Sequence, residues 1–454
     1  MANTIDVLGE KVAFEKVVDR TITEFEDDEL LQIGSYAFAY CKSLTSVSFP
    51  EVKSINNGAF NSCTNLTNIY FPSTTVIGGD AFTFCTSLAT VSFPAVISIN
   101  NNAFMNCTNL SIISFPSATK VGNAAFSGTK LTDAYFPAAT TIEPNAFCNC
   151  YSLITASFPL VTSIGGNAFI NCSSLTTVSF PVATSIDVYA FSNCRSLTTV
   201  SFPACTSIGS SAFQKCYSLT TVSFPVCTSI GNYAFASCSS LTTISFPVCI
   251  SIYTSAFCYC SNLTTISFPS AKYISANAFA QCQKLETIYF PSVTTIGDAA
   301  FFNCQKLSEV YFPVAPSTGR YVFQNCSGLT TASFPIATYI GGYAFNGCSK
   351  LASVSFPIAS VIEQNAFAIC SGLTTLSFPS VTSIREYAFL NCPSLTATIF
   401  GNELSVASLA NSNAYQNTPN AIIYVPDALV SNYQAAANWS YFSSRIKGIS
   451  ELPS

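Results

Sequence analysis

One motif returns along this chain at an almost fixed step, and that step limits the fold more tightly than any other property of the sequence. The pair Phe-Pro occurs sixteen times, from Phe49 to Phe378, and a degenerate copy, Phe400-Gly401, follows. Every step is 22 residues except Phe115 to Phe136, which is 21. The short unit reads AFSGTKL where a neighbour reads AFNSCTNL, so one residue and the cysteine are missing there. Seventeen units run from Ile33 to about Phe400. A unit this short cannot bury its own apolar face, so successive copies must stack.

The unit reads I-x-x-x-A-F-x-x-C-x-x-L-x-x-Φ-x-F-P-x-x-x-x, with Φ usually Val or Ile. A period of 20–29 with an L-x-x-Φ-x-Φ core reads as a leucine-rich solenoid. In one coil Leu197, Val200 and Phe202 form that core, with Thr199 and Ser201 facing outward. Strands of successive coils are expected to stack in parallel about 4.8 Å apart. Proline lacks an amide donor, so it ends each strand. Ala-Phe-x-x-Cys is too short for a long helix and fits a single helical or 3-10 turn on the opposite side. The expected class is therefore an α/β repeat solenoid, with a parallel sheet on one face and short helical or 3-10 turns on the other. The Ile-Gly dipeptides are assigned to the repeat turn. Of 39 phenylalanines, 17 fall in the strand column and 17 in the Ala-Phe column, which predicts two aromatic ladders in the core. One buried Phe contributes roughly 1.5–3 kcal/mol, ample to hold such a stack.

Both ends depart from the period. Residues 1–30 are acidic and irregular and are expected to form an N-terminal cap. Residues 31–400 form the solenoid, and residues 401–454 a C-terminal cap. The cap reads as a strand, Ala421 to Val425, then a helix opening near Pro426-Asp427. Leu429, Tyr433 and Ala437 form its apolar stripe, and Trp439, the only tryptophan, is expected to seal the last coil.

Composition excludes several function classes. Residues 1–30 carry nine acidic and three basic side chains, and the remainder 13 acidic and 14 basic. No basic stripe exists, so nucleic-acid binding lacks its main electrostatic contribution. Histidine is absent, which removes histidine-based triads and histidine metal sites. Carboxylates are sparse and phosphate-binding glycine loops are missing, so no enzyme and no cofactor is expected. No apolar run is long enough for a transmembrane helix. The opening MANTIDVLGEKVAFEKVVDR lacks the apolar core of a secretory signal. Localisation stays open between cytoplasmic, virion-borne and exported by a route that this sequence does not display.

Sixteen of the 21 cysteines occupy one column, Cys41 to Cys392. Stacked neighbours come within disulfide reach, yet each has an equal neighbour above and below, so nothing selects a pairing. Buried thiols acting as small hydrophobes are the expectation. Cys205, Cys227 and Cys249 stand where other coils carry Val161, Ala183 and Ala271, and read as small apolar substitutes. The pairs Cys148/Cys150 and Cys258/Cys260 are far weaker than paired C-x-x-C zinc motifs.

The unit resembles the BspA-like leucine-rich repeat family, the Treponema pallidum type, whose units carry I-G-x-x-A-F-x-x-C-x-x-L. TSIGNYAFASCSSL (228–241) fits that pattern at every position. The resemblance covers roughly residues 31–400. The 22-residue length and the Phe-Pro pair depart from the family's usual unit of about 23 residues and its aliphatic residue before proline. The closing Tyr424-Val425-Pro426 and helix pattern looks like the C-terminal caps of BspA-like proteins from gut bacteria and their phages. The resemblance implies a binding or adhesion protein, with host-surface attachment or a phage-tail part as its settings.

The exposed strand columns carry the remaining information. Most coils display Thr-Thr-x-Ser, as at Thr242, Thr243 and Ser245, whereas Tyr70, Tyr135, Tyr289 and Tyr311 replace the serine. Tyr289 and Tyr311 sit on adjacent coils beside Glu286 and Glu309. Tyrosine buries large area and keeps a polar tip, which suits a recognition surface for a protein or glycan. Tyrosine also has good strand propensity, so scattered surface aromatics are the plain alternative. A rigid spacer without ligand is the rival function. Ice binding by the Thr-Thr-x-Ser array is a third reading, and it requires a flat face.

Overall fold

The computed structural model describes residues 20–453; the first nineteen residues of the expected N-terminal cap lie outside the described residues. Two compact units divide the chain, Met1–Cys227 and Thr228–Ser454, and both are built from the same coil. In the coil of residues 198–219, Val200, Phe202, Cys205, Ile208, Ala212, Phe213, Cys216 and Leu219 are all buried. These are the recurring apolar positions of the repeat. Most of the intervening hydroxyl residues stay outside, Ser211 excepted, because burying them without partners would cost desolvation energy.

Two strands form in each regular coil. The expected one, Thr199–Ser201, pairs in parallel with Thr221–Ser223, and in the second unit Thr243–Ser245 pairs with Thr265–Ser267. It stops one residue before Phe-Pro, as the missing proline donor requires. The second strand, Ser207–Ile208, pairs with Ser185–Ile186 and overturns the assignment of the Ile-Gly segment to a turn. It makes the more continuous ladder, from Gln32–Ile33 to Ser207–Ile208 in the first unit and from Ser229–Ile230 to Thr295–Ile296 in the second. The Phe-Pro column instead pairs in runs of two to four strands. Several of its breaks coincide with wider spacing of the core rings, although Phe378 and Phe400 are 6.5 Å apart within a run. Phe290 and Phe312 stand 6.2 Å apart at one break, against 5.5 Å for Phe268 and Phe290 within a run. Past Ile296 the second ladder breaks, and it resumes from Tyr339–Ile340 to Ser408–Leu409. Pro316 stands where Thr294 and Thr338 donate their amides to the preceding coil, and it has no N–H to give.

The helical or 3-10 face does not form. Ala-Phe-x-x-Cys lies in a run of turns in the described coils, and the only α-helix among the described residues is Val430–Ala435. The reason is a pair of left-handed residues in every coil, such as Tyr189 (φ 57°) and Asn193 (φ 64°), which a right-handed helix or 3-10 turn cannot contain. The amides then alternate. Those of Tyr189, Phe191 and Asn193 donate to the next coil at 2.7–2.9 Å, and those of Ala190, Ser192 and Cys194 donate three residues back at 3.0–3.3 Å. Each backbone donor finds a partner, which offsets a left-handed cost of roughly 1–2 kcal/mol per residue. Asparagine or glycine fills many of these positions (Asn149, Asn171, Asn193, Gly347), the residue types that adopt this region most readily.

The two aromatic ladders exist and interleave. Phe169 stacks on Phe147 and on Phe191 at 5.2 Å with near-parallel rings, and meets Phe158 and Phe180 edge-on at 6.0 and 5.9 Å. The column cysteines are thiols. Most have a specific use: the Sγ of Cys172 donates to the carbonyl of Phe147, that of Cys194 to Phe169 and that of Cys304 to Phe279, at 3.2–3.3 Å. In the 21-residue unit Thr129 takes the cysteine's place, and its hydroxyl donates to the Phe126 carbonyl at 2.8 Å.

Burial pushes these thiols up, to about 12 for Cys107, Cys150 and Cys326, from an ordinary 9.0. A folded-state pKa above the unfolded one gives stability that is complete below pH 9 and is lost as pH rises toward 12. A thiol reagent should therefore label few cysteines in the native protein and all 21 in denaturant without reductant. The urea midpoint should hold below pH 9 and fall above it. Incomplete labelling in denaturant would reveal disulfides.

Candidate functional site

The outward face of the Phe-Pro strand column is built mostly from threonine and serine. The first threonine of many pairs is spent on structure: Thr220 Oγ1 donates to the Thr198 carbonyl at 3.1 Å, and Thr264 Oγ1 to the Thr242 carbonyl at 3.0 Å. Most of what can reach a partner is therefore the second threonine and the serine column. Tyr289 and Tyr311 rise out of that background, 56% and 61% exposed.

The structure places all four candidate residues on one face. Tyr289 closes the strand Thr287–Tyr289, and Glu309 and Tyr311 bracket the strand Glu309–Tyr311. Glu286 lies just before the first of these, exposed, with its carbonyl 3.5 Å from the Ser308 hydroxyl of the next coil. Tyr289 sits beside Ser267, and Tyr311 beside Ser333. The two tyrosines share a column, yet they flank one of the breaks in strand pairing. One strand ends a three-stranded run and the other opens the next.

A second aromatic group, which sequence reasoning missed, lies on the turn side of the second unit. Tyr321 and Tyr343, both in left-handed positions, stack with centroids 4.9 Å apart. The Arg320 guanidinium lies 5.6 Å from the Tyr321 centroid. Nearby, Arg385 reaches Glu363 at 3.8 Å, and burial together with the Glu363 carboxylate pushes the Tyr339 hydroxyl up. The available signal was Tyr at 321 and again 22 residues later, in a column assigned to a helical turn.

Among the described residues no group of three or more His, Cys, Asp or Glu could hold a metal ion. None of the helices there is long and apolar enough to cross a membrane.

Parallel strands, a leucine rung and a single core shared by successive short coils define a leucine-rich-repeat β-solenoid. Residues 31–154, 140–250, 184–308, 250–361 and 316–437 match the family described as "BspA type Leucine rich repeat region (6 copies)". The chain belongs to that BspA-type family, as the I-G-x-x-A-F-x-x-C-x-x-L motif implied. Its members are repeat proteins, a family in general without enzymatic activity. Comparison with curated proteins finds no match. Among solved structures, a leucine-rich repeat protein from Bacteroides ovatus is 20% identical, with 94% of this chain and 92% of that one covered and a TM-score of 0.38. A leucine rich cell surface protein from Faecalibacterium prausnitzii is 23% identical over 74% and 88% of the two chains, TM-score 0.37. The T. pallidum leucine rich repeat protein is 24% identical over 43% and 82%, TM-score 0.31.

Proposed function

We propose that this chain is a non-enzymatic binding protein that presents its repeat surface to a protein or glycan, in the manner of an adhesin attaching to a host surface. The observation that carries this reading is the Tyr289–Tyr311 column with Glu286 and Glu309 beside it. Two large aromatic side chains stand exposed on adjacent coils, where the repeat otherwise writes serine and where no core role explains them. Aromatic rings of this kind stack on sugar faces or clamp apolar side chains, with carboxylates hydrogen-bonding at the rim. Membership in a repeat family agrees with such a role.

The rival reading is a rigid spacer, such as a phage-tail or virion component. It is favoured by the first-threonine hydroxyls and by the amide ladder Asn149–Asn171–Asn193, whose side chains bond to each other at 2.7–2.9 Å. Groups that bond to each other in this way stiffen the stack. The same use of the threonines weakens the ice-binding reading.

The test is a Tyr289→Ser, Tyr311→Ser double variant, assayed against a partner drawn from a glycan and host-protein array. Folding should be nearly unchanged, since both side chains face solvent. Binding should fall by at least ~2 kcal/mol. Unchanged affinity at an unchanged melting temperature assigns these residues to plain surface, and an array without any partner favours the spacer.

A further inference from the structure

The one unit that lacks a residue leaves a mark on the surface. Its neighbours place two residues between the cysteine rung and the leucine rung, and this unit places only Lys130, between Thr129 and Leu131. The Lys130 amide reaches past the turn to the Leu110 carbonyl, at 3.0 Å. In regular coils the corresponding turn amide bonds to the preceding turn, as Ser196 does to Ser173. Between the full-length turns on either side a depression of about 510 Å³ opens, lined by Asn106, Thr108, Lys130, Asn149, Tyr151 and Ser152. Gly128 floors it. Its φ is +72°, the left-handed position that carries a side chain in the flanking coils, as at Asn106 and Asn149, and with glycine there the space stays open.

We propose that this depression is a carbohydrate subsite that takes a pyranose bearing a carboxylate, a uronic-acid-type sugar. Three observations point to that class. The volume lies within the roughly 300–1,000 Å³ of small-ligand pockets. The lining offers amides and hydroxyls suited to vicinal sugar hydroxyls, with one exposed aromatic, Tyr151 (57% exposed), to meet an apolar ring face. The Asn149 amide is oriented by Asn171 Nδ2, which donates to its Oδ1 at 2.9 Å. Lys130 is the only charged group in the lining and has no ion-pair partner among the described residues. A lone ammonium with no carboxylate beside it selects an anion. This subsite is independent of the Tyr289–Tyr311 face and stands or falls without it.

The experiment titrates the full chain with methyl β-glucuronide and with methyl β-glucoside, read by ligand-observed NMR. The glucuronide should bind the tighter of the two. Lys130→Met should weaken it about tenfold, the scale of a hydrogen bond to a charged group, and leave the glucoside unchanged. A refilled variant replaces Ser127-Gly128-Thr129-Lys130 by Asn-Ser-Cys-Thr-Asn, the run at residues 61–65. It copies a unit that the chain already uses, so its melting temperature should not fall, while binding of both sugars should vanish. Equal binding of the two sugars, binding of neither at millimolar concentration, or binding retained by the refilled variant would overturn the proposal.

Discussion

Truncation after Gly401 is expected to turn the protein into an aggregating one. The strand Ala397–Phe400 pairs on its far side with Ile422–Val425, which in turn pairs with Ile446–Gly448. The Phe400 ring is covered by Trp439, edge-on at 5.8 Å, and Trp439 is held by Tyr433 at 5.2 Å. Polar groups lock this cover in place: the Trp439 indole N–H donates to the Ala407 carbonyl at 2.7 Å, and the Ala407 amide donates to the Tyr433 hydroxyl at 2.9 Å. Without residues 402–454 the chain would show an unpaired parallel edge ending in an aromatic ladder, which templates association with a second copy. Light scattering after gel filtration checks this. A soluble monomeric product would refute the covering role. The Leu429–Tyr433–Ala437 stripe contributes less than its spacing suggests. Only Tyr433 is buried, because the helix ends at Ala435 and Ala437 lies exposed beyond it.

Phe169→Ala should cost about 3–5 kcal/mol, the range for deleting a buried aromatic ring. The ring is fully buried and touches four others, so the cavity has rigid walls on every side and cannot collapse. In a repeat array such a loss also weakens coupling between neighbours, and the urea transition should broaden or split. Tyr311→Ser, on the same kind of coil but outside it, should change stability by no more than about 0.5 kcal/mol. A cost below about 1 kcal/mol for Phe169→Ala would show that the ladder is not what holds the coils together.

Whatever depends on one residue's chemistry was legible in the sequence. Phe202, Phe213, Cys216 and Leu219 recur at fixed places because an inward position takes a polar side chain only where a partner satisfies it, as the Phe126 carbonyl does Thr129, and the register of the stack follows from the period alone. The strand face was readable for the same reason: alternation puts Tyr289 and Tyr311 outward whatever the neighbours do. What the tertiary structure decided depends on residues about 22 positions apart in the chain. Ser207–Ile208 is too short to be a strand by itself and becomes one only because Ser185–Ile186 supplies hydrogen-bond partners. The Ala-Phe-x-x-Cys segment has helix-compatible residues, but the pull of the next coil's carbonyls on Tyr189, Phe191 and Asn193 is satisfied only by left-handed turns. The stacking of Tyr321 on Tyr343 and the depression over Gly128 belong to the same category. Both are made by the contact of successive coils, and a single unit, read along the chain, contains neither.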